Sequence, residues 1–386
     1  MEYNTNPNKA KLSEFNPSTT RANVPGLMSM AAHLLEDGYT NTQSFLASPA
    51  SLYVALEVLA RGAKGETLNE IEGVLGNADS RWEACARLFE ERPEYVPEGY
   101  SLNIVASVWA NKLTAPLNPD FPQAIANANG QATEVYFGAP EAKSQISAWL
   151  RENTGGKFST APEFDAETLF AVISALYFKD NWVDPLDDED EIVFNAPTGS
   201  HAIPMMGGFS SDAKLLKAHE AIAVSWPMQS DAQAVFAMPD NAEEMDRFVK
   251  NGAAWETISR CFGGEGTTHP DGGIELYMPQ LELKSEDSEL EHTLRSMGVR
   301  KAFTPEAELE GITKADAMVS KVTQNTMLKL DPNGAEGAAY TAFVAVAGCL
   351  PSSIPDPVRV VLNRPFAFAV FSHSGAPLFV GTYMGD

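Results

Sequence analysis

The chain has 386 residues, with 27 Lys plus Arg against 52 Asp plus Glu, for a formal net charge of −25. A field of that sign repels phosphate backbones and anionic lipid surfaces, which argues against a nucleic-acid-binding or membrane-surface role. No stretch approaches the ~20 consecutive apolar residues of a spanning helix.

Residues 1–22 are polar and are expected to fray. Ser48-Pro49 predicts a helix start, with Ser as cap and Pro at the first helical position; Leu52, Ala55, Leu56 and Leu59 follow at helical spacing, and Gly62 ends it. Thr67 with Glu70 predicts a capping box for the next helix, which would bury Leu68, Ile71 and Leu75. Residues 82–89 look helical, with Cys85 as a small core residue. A strand is expected over 101–109, and a helix over 140–153, stopped by Thr154-Gly155-Gly156. The continuous apolar run 169–178 predicts a central strand buried on both faces. Strand-like patterns recur over 203–238 and 272–283, and a helix is expected over 288–298. In 319–330 alternation places Val322, Gln324, Thr326, Leu328 and Leu330 together. Three strands close the chain, at 358–362, 365–372 and 376–384. Helices early and strands late predict an α+β architecture with large, mainly antiparallel sheets. The Pro, Gly and Ser clusters are short, so a single domain over 23–386 is expected.

Motifs of catalysis are missing. Gly208-Phe209-Ser210-Ser211-Asp212 lacks the second glycine of a nucleophile elbow, and Gly155-Gly156-Lys157 is a helix stop rather than a phosphate cradle. The six histidines have no metal-ligand spacing, and no cofactor is expected. Cys85, Cys261 and Cys349 are too scattered for a disulfide framework. The acidic run 184–191 predicts a solvated loop.

The segment 331–357 is unusual. It opens on Asp331-Pro332-Asn333-Gly334, carries one charge, Glu336, over 335–348, and ends in the turn cluster Pro351-Ser352-Ser353-Ile354-Pro355. Alternation puts Ala335, Gly337, Ala339 and Thr341 on one side, and Glu336, Ala338 and Tyr340 on the other. The first face could slide between two packed strands and the second could stay in water.

Several segments together resemble one family, the serpins. The hinge Gly334-Ala335-Glu336-Gly337-Ala338-Ala339-Tyr340-Thr341 is similar to theirs, as are Ser48-Pro49-Ala50-Ser51-Leu52 and Gly62-Ala63-Lys64-Gly65-Glu66-Thr67. Ser174-Ala175-Leu176-Tyr177-Phe178-Lys179-Asp180-Asn181-Trp182 resembles the family's central strand, ending at the tryptophan of the "breach" atop the main sheet. Asn363-Arg364-Pro365-Phe366, Pro204-Met205-Met206 and Ser225-Trp226-Pro227 also fit, in the right order from about residue 25 onward.

The resemblance implies a fold of nine helices and three sheets with an exposed reactive-centre loop. It implies a monomeric suicide inhibitor in a covalent complex with a target serine protease, or else a non-inhibitory carrier, chaperone or storage protein. From the charge balance, no nucleic-acid or membrane partner is expected. The first residues lack the regions of a signal peptide, so the sequence is expected to be either a secreted mature form or cytoplasmic. The family's spacing from Gly334 puts the scissile bond at Gly348–Cys349, and a shift of register makes Cys349 or Leu350 the recognised residue. With no Lys or Arg between Lys329 and Arg359, elastase-, subtilisin- or chymotrypsin-like targets are expected. Where the family has Asn and His in the "shutter" beneath a helix, this chain has Ser174 and Gln324. Two alternatives are open there. Either a Ser174–Gln324 bond with Ser48 and Ser51 replaces the usual pair, or Gln324 bonds backbone. Pro332, Gly337 and Tyr340 also depart from the usual hinge, yet none adds a charge or a proline to the inward face.

Overall fold

The computed structural model describes residues 25–89, 93, 96–218, 220–336 and 355–386. The terminus 1–22, hinge residues Gly337, Ala338, Ala339, Tyr340 and Thr341, and candidate scissile residues Gly348, Cys349 and Leu350 lie outside the described residues.

Nine α-helices and three sheets are present among the described residues. The largest sheet runs β11 (Leu281–Glu289), β12 (Lys321–Asp331), β13 (Gly334–Ala335), β4 (Phe170–Asn181), β2 (Ser101–Asn111), β3 (Gly130–Val135). A second runs β1 (Phe45–Ala47), β16 (Pro377–Tyr383), β15 (Phe366–Phe371), β9 (Gln233–Pro239), β8 (Ala221–Pro227), β7 (Lys214–Lys217). The third has β14 (Val358–Val361), β10 (Ile274–Pro279), β6 (Gly199–Ser210) and β5 (Asp187–Ala196).

Helix α2 (Pro49–Ala60) lies at the centre, with every residue buried, against β2, β4 and β16. Its start is local chemistry: the extended Ser48 accepts from Ser51 N through its Oγ (3.1 Å), and Pro49 occupies the first turn. On the opposite face of the large sheet lies α6 (Pro140–Asn153). Its Ile146, Trp149 and Leu150 share a second core with Val105, Trp109, Ile173 and Ala175, where Trp109 and Trp149 meet edge to face at 6.4 Å. With α2 behind and α6 in front, β4 is buried on both sides, which explains its unbroken apolar run.

Three local expectations are corrected. The acidic run 184–191 is largely strand. Positions 187–191 are exposed in β5, an outer strand held by β6, where an edge tolerates charge on both faces. Helix α3 (Gly65–Leu75) begins before the Thr67–Glu70 box. Its first amides are capped from afar: Glu308 accepts from Glu66 N (2.7 Å), while Thr67 Oγ1 accepts from Glu308 N (2.9 Å). Glu70 instead accepts from Arg300 N and Lys301 N. The helix expected over 288–298 is confined to Glu291–Ser296, because 288–289 pair with β12.

Candidate functional site

The site is the seam between β4 and β12. The two strands pair in parallel from Lys321↔Ala171 to Asn325↔Ala175 and then part. At the far end β13 is seated between them, antiparallel to both: Gly334 faces Asn181 and Asp331, and Ala335 faces Asp180 and Leu330. Between those contacts, positions 176–179 of β4 and 326–329 of β12 have no ladder to each other. Their outer sides remain fully paired, to β2 and β11. Among the described residues, two hinge residues therefore occupy the mouth of a stretch in which the two strands do not pair with each other.

Trp182 holds that mouth. Fully buried, it donates from its indole nitrogen to Asp331 O (2.8 Å) and from its backbone N to Asn333 O (2.9 Å). Asn333 N donates to the Asp331 carboxylate (2.9 Å), and Leu186 N donates to Pro332 O (2.8 Å), so 331–333 is a tied turn. Gly334 must be glycine: at φ +149° a Cβ would sit 2.2 Å from Asp180 O.

Asp180 lies under the seated hinge. Its carboxylate accepts from Ser230 Oγ (2.6 Å), Ser230 N (3.2 Å) and Asn181 N (2.9 Å). Burial outweighs those donors and pushes its pKa up to about 6. Glu336, the next residue out, has a left-handed φ of +60°. Its N donates to Lys329 O (2.8 Å), and its carboxylate takes an ion pair from Lys157 and a hydrogen bond from Tyr177.

Below the gap, the shutter residues meet at the paired end. Ser174 and Gln324 are register partners, both buried, yet they do not bond to one another. Gln324 reaches instead to the backbone of Ser48, accepting from its N (2.8 Å) and donating to its O (2.8 Å), and also accepts from Thr326 Oγ1 (3.0 Å). The second alternative is the one formed, because one amide satisfies two buried backbone groups at once. The Ser51 and Ser174 hydroxyls have no partner among the described residues.

Sequence reasoning placed Gly334, Ala335, Trp182, Ser48 and Gln324, all of which the fold brings to this one seam. It missed Asp180, Ser230, Lys157 and Tyr177. A carboxylate closing an apolar strand was the available signal for Asp180; Lys157 offered none beyond the glycines before it.

Comparisons with known proteins agree with this geometry. The family described as "Serpin (serine protease inhibitor)" matches residues 27–385. An alpha-1-antiproteinase of Callosciurus caniceps is 29% identical over 89% of this chain and 83% of its own. Alpha-1-antitrypsin 1-2 of Mus musculus is 28% identical over the same shares. The native-state crystal structure of the thermophilic serpin tengpin superposes with a TM-score of 0.80, at 21% identity over 97% of this chain and 98% of its own. Thyroxine-binding globulin in complex with thyroxine gives 0.77, at 18% identity over 93% and 98%.

Proposed function

This chain belongs to the serpin family, and from that premise we propose that it is a suicide inhibitor of serine proteases that traps its target by loop insertion. In the proposed mechanism the protease serine Oγ attacks the carbonyl at Gly348, Cys349 or Leu350. The peptide C–N bond breaks, the amine leaves with the proton, and an acyl ester remains. The severed loop then threads between β4 and β12, carrying the esterified protease with it.

The observation that carries this reading is β13 seated where β4 and β12 cease to pair with each other. Continuing its register puts Thr341 opposite both Ser174 and Gln324, on the face of the sheet where the Ser174 hydroxyl has no partner among the described residues. The fourteen positions 335–348 would span roughly 46 Å as a strand. Further gain comes from positions 176–179 and 326–328, which have no ladder to one another and which an inserted strand would bond on both sides. One expectation changes. The outward face does not open to water everywhere: the same register sets Tyr340 beside Ala175, which packs under α6.

Small and apolar residues over 345–350 support an elastase-, subtilisin- or chymotrypsin-like target, and the antitrypsin-like relatives support an extracellular setting. The test is incubation with each protease, followed by denaturing electrophoresis and by mass spectrometry of the released peptide. A complex that survives boiling is expected, together with a higher melting temperature after loop cleavage. Cleavage without a complex and without added stability would mean a non-inhibitory member.

A further inference from the structure

Strand β13 ends at Ala335 for a reason visible in three elements. The segment after α6 is tightly built. Gly155 and Gly156 are left-handed (φ +58° and +82°), Thr154 Oγ1 donates to Leu150 O (2.6 Å), and Phe158 N donates back to Thr154 Oγ1 (3.1 Å). Asn103 on β2 donates to Asn153 O (2.9 Å), so this corner is fastened to the sheet. Gly155 lies against the Tyr177 ring, where an added Cβ would come within 3.0 Å. The corner thus presents Lys157, and β4 presents Tyr177, to the carboxylate of Glu336 at the point where the chain turns out of the seam.

To become the third inserted residue, Glu336 must leave the left-handed region for an extended one and release Lys157. Continuing the register would then place it opposite Lys179 and Lys329. Lys179, with Lys329 shared with Asp331 (3.2 Å), would replace Lys157, so the inserted end state loses no charge partner. The contact opposes the transition and not the product.

We infer that Lys157 and Tyr177 are positioning residues that latch Glu336, holding the loop at two inserted residues and setting the rate at which the rest follows. This rests on the insertion reading above. The latch is electrostatic and partly exposed, with Lys157 38% accessible, so added salt weakens it. A charge-assisted contact of this kind corresponds to about tenfold in rate.

The experiment uses the full chain and measures uptake of a synthetic peptide matching residues 335–348, together with loss of inhibitory activity on warm incubation. Lys157→Gln and Glu336→Gln are each expected to speed both about tenfold, and Tyr177→Phe by a smaller factor. Salt should accelerate the wild type and leave the two charge variants unmoved. Exchanging the charges, Lys157→Glu with Glu336→Lys, should restore slow uptake, and the melting temperature of the loop-cleaved form should be the same in wild type and Lys157→Gln. If the wild type takes up no peptide and gains no stability on cleavage, the insertion reading fails and the latch with it. If the wild type does both, but Lys157→Gln inserts at the wild-type rate or the charge exchange stays fast, the latch alone is overturned.

Discussion

Placing a carboxylate at Ala335 probes the seam most directly. Ala335 is buried, on the inward face, and directly opposite Asp180. Residues opposed in an antiparallel pair have Cβ atoms about 5 Å apart. Two carboxylates at that separation repel by about 3 kcal/mol at an effective dielectric of about 20, before the desolvation of the second charge is added. That repulsion would expel β13 from the native seam, and reinserting it against the same cost corresponds to roughly a hundredfold slower insertion. Since trapping competes with hydrolysis of the acyl ester, Ala335→Glu should be cleaved by the target and released, with little complex. Ala335→Ser should inhibit nearly as the wild type does. Ala335→Arg should fall between them, because Asp180 can pair with the guanidinium. The assay is the ratio of inhibitor consumed to protease inactivated at pH 8. Efficient trapping by Ala335→Glu, or a reversed order of Arg and Glu, would refute the placement of Ala335 against Asp180.

Three further outcomes follow from the same structure. Gln324→Ala leaves the buried N of Ser48 without an acceptor, while its O keeps Leu52 N, and should destabilise the native form by about 1–3 kcal/mol, lowering its melting temperature by a few degrees; a shift under a degree refutes the clamp. Asp180 has a raised pKa in the fold, so the native state holds its proton longer than the unfolded chain. Its contribution to stability is therefore present at low pH, declines as pH rises from about 4 to about 6, and is flat above. Between pH 4 and 6 the wild-type melting temperature should fall relative to Asp180→Asn, and parallel profiles would count against it. Glu57, 1% exposed, faces Arg61 (2.5 Å) and Arg81 (3.4 Å), so Glu57→Gln should destabilise by about 3–5 kcal/mol, read by urea unfolding.

Much of the fold was legible because its signals are local. Ser48 and Pro49 start α2 within one turn, the apolar run of β4 reports burial on both faces, and alternation along β12 reports its inward side. The need for glycine at 334 is explained only by the fold, since its positive φ and its approach to Asp180 O, far away in the chain, leave no room for a Cβ. The misses share one cause, which is a partner far away in the chain. The cap of α3 comes from Glu308, about which the Thr67–Glu70 spacing says nothing. The acidic run became strand β5 because β6 supplied its hydrogen bonds.

For this protein, the sequence alone determined that a small-residue segment with strand alternation follows an apolar strand. Composition and periodicity are properties of neighbours along the chain. Only the tertiary structure decided where β13 ends, what Gln324 binds 276 positions away, and why the pKa of Asp180 is raised. Those outcomes depend on distance, burial and competing donors, which exist only once β4, β12 and the corner after α6 have been brought together.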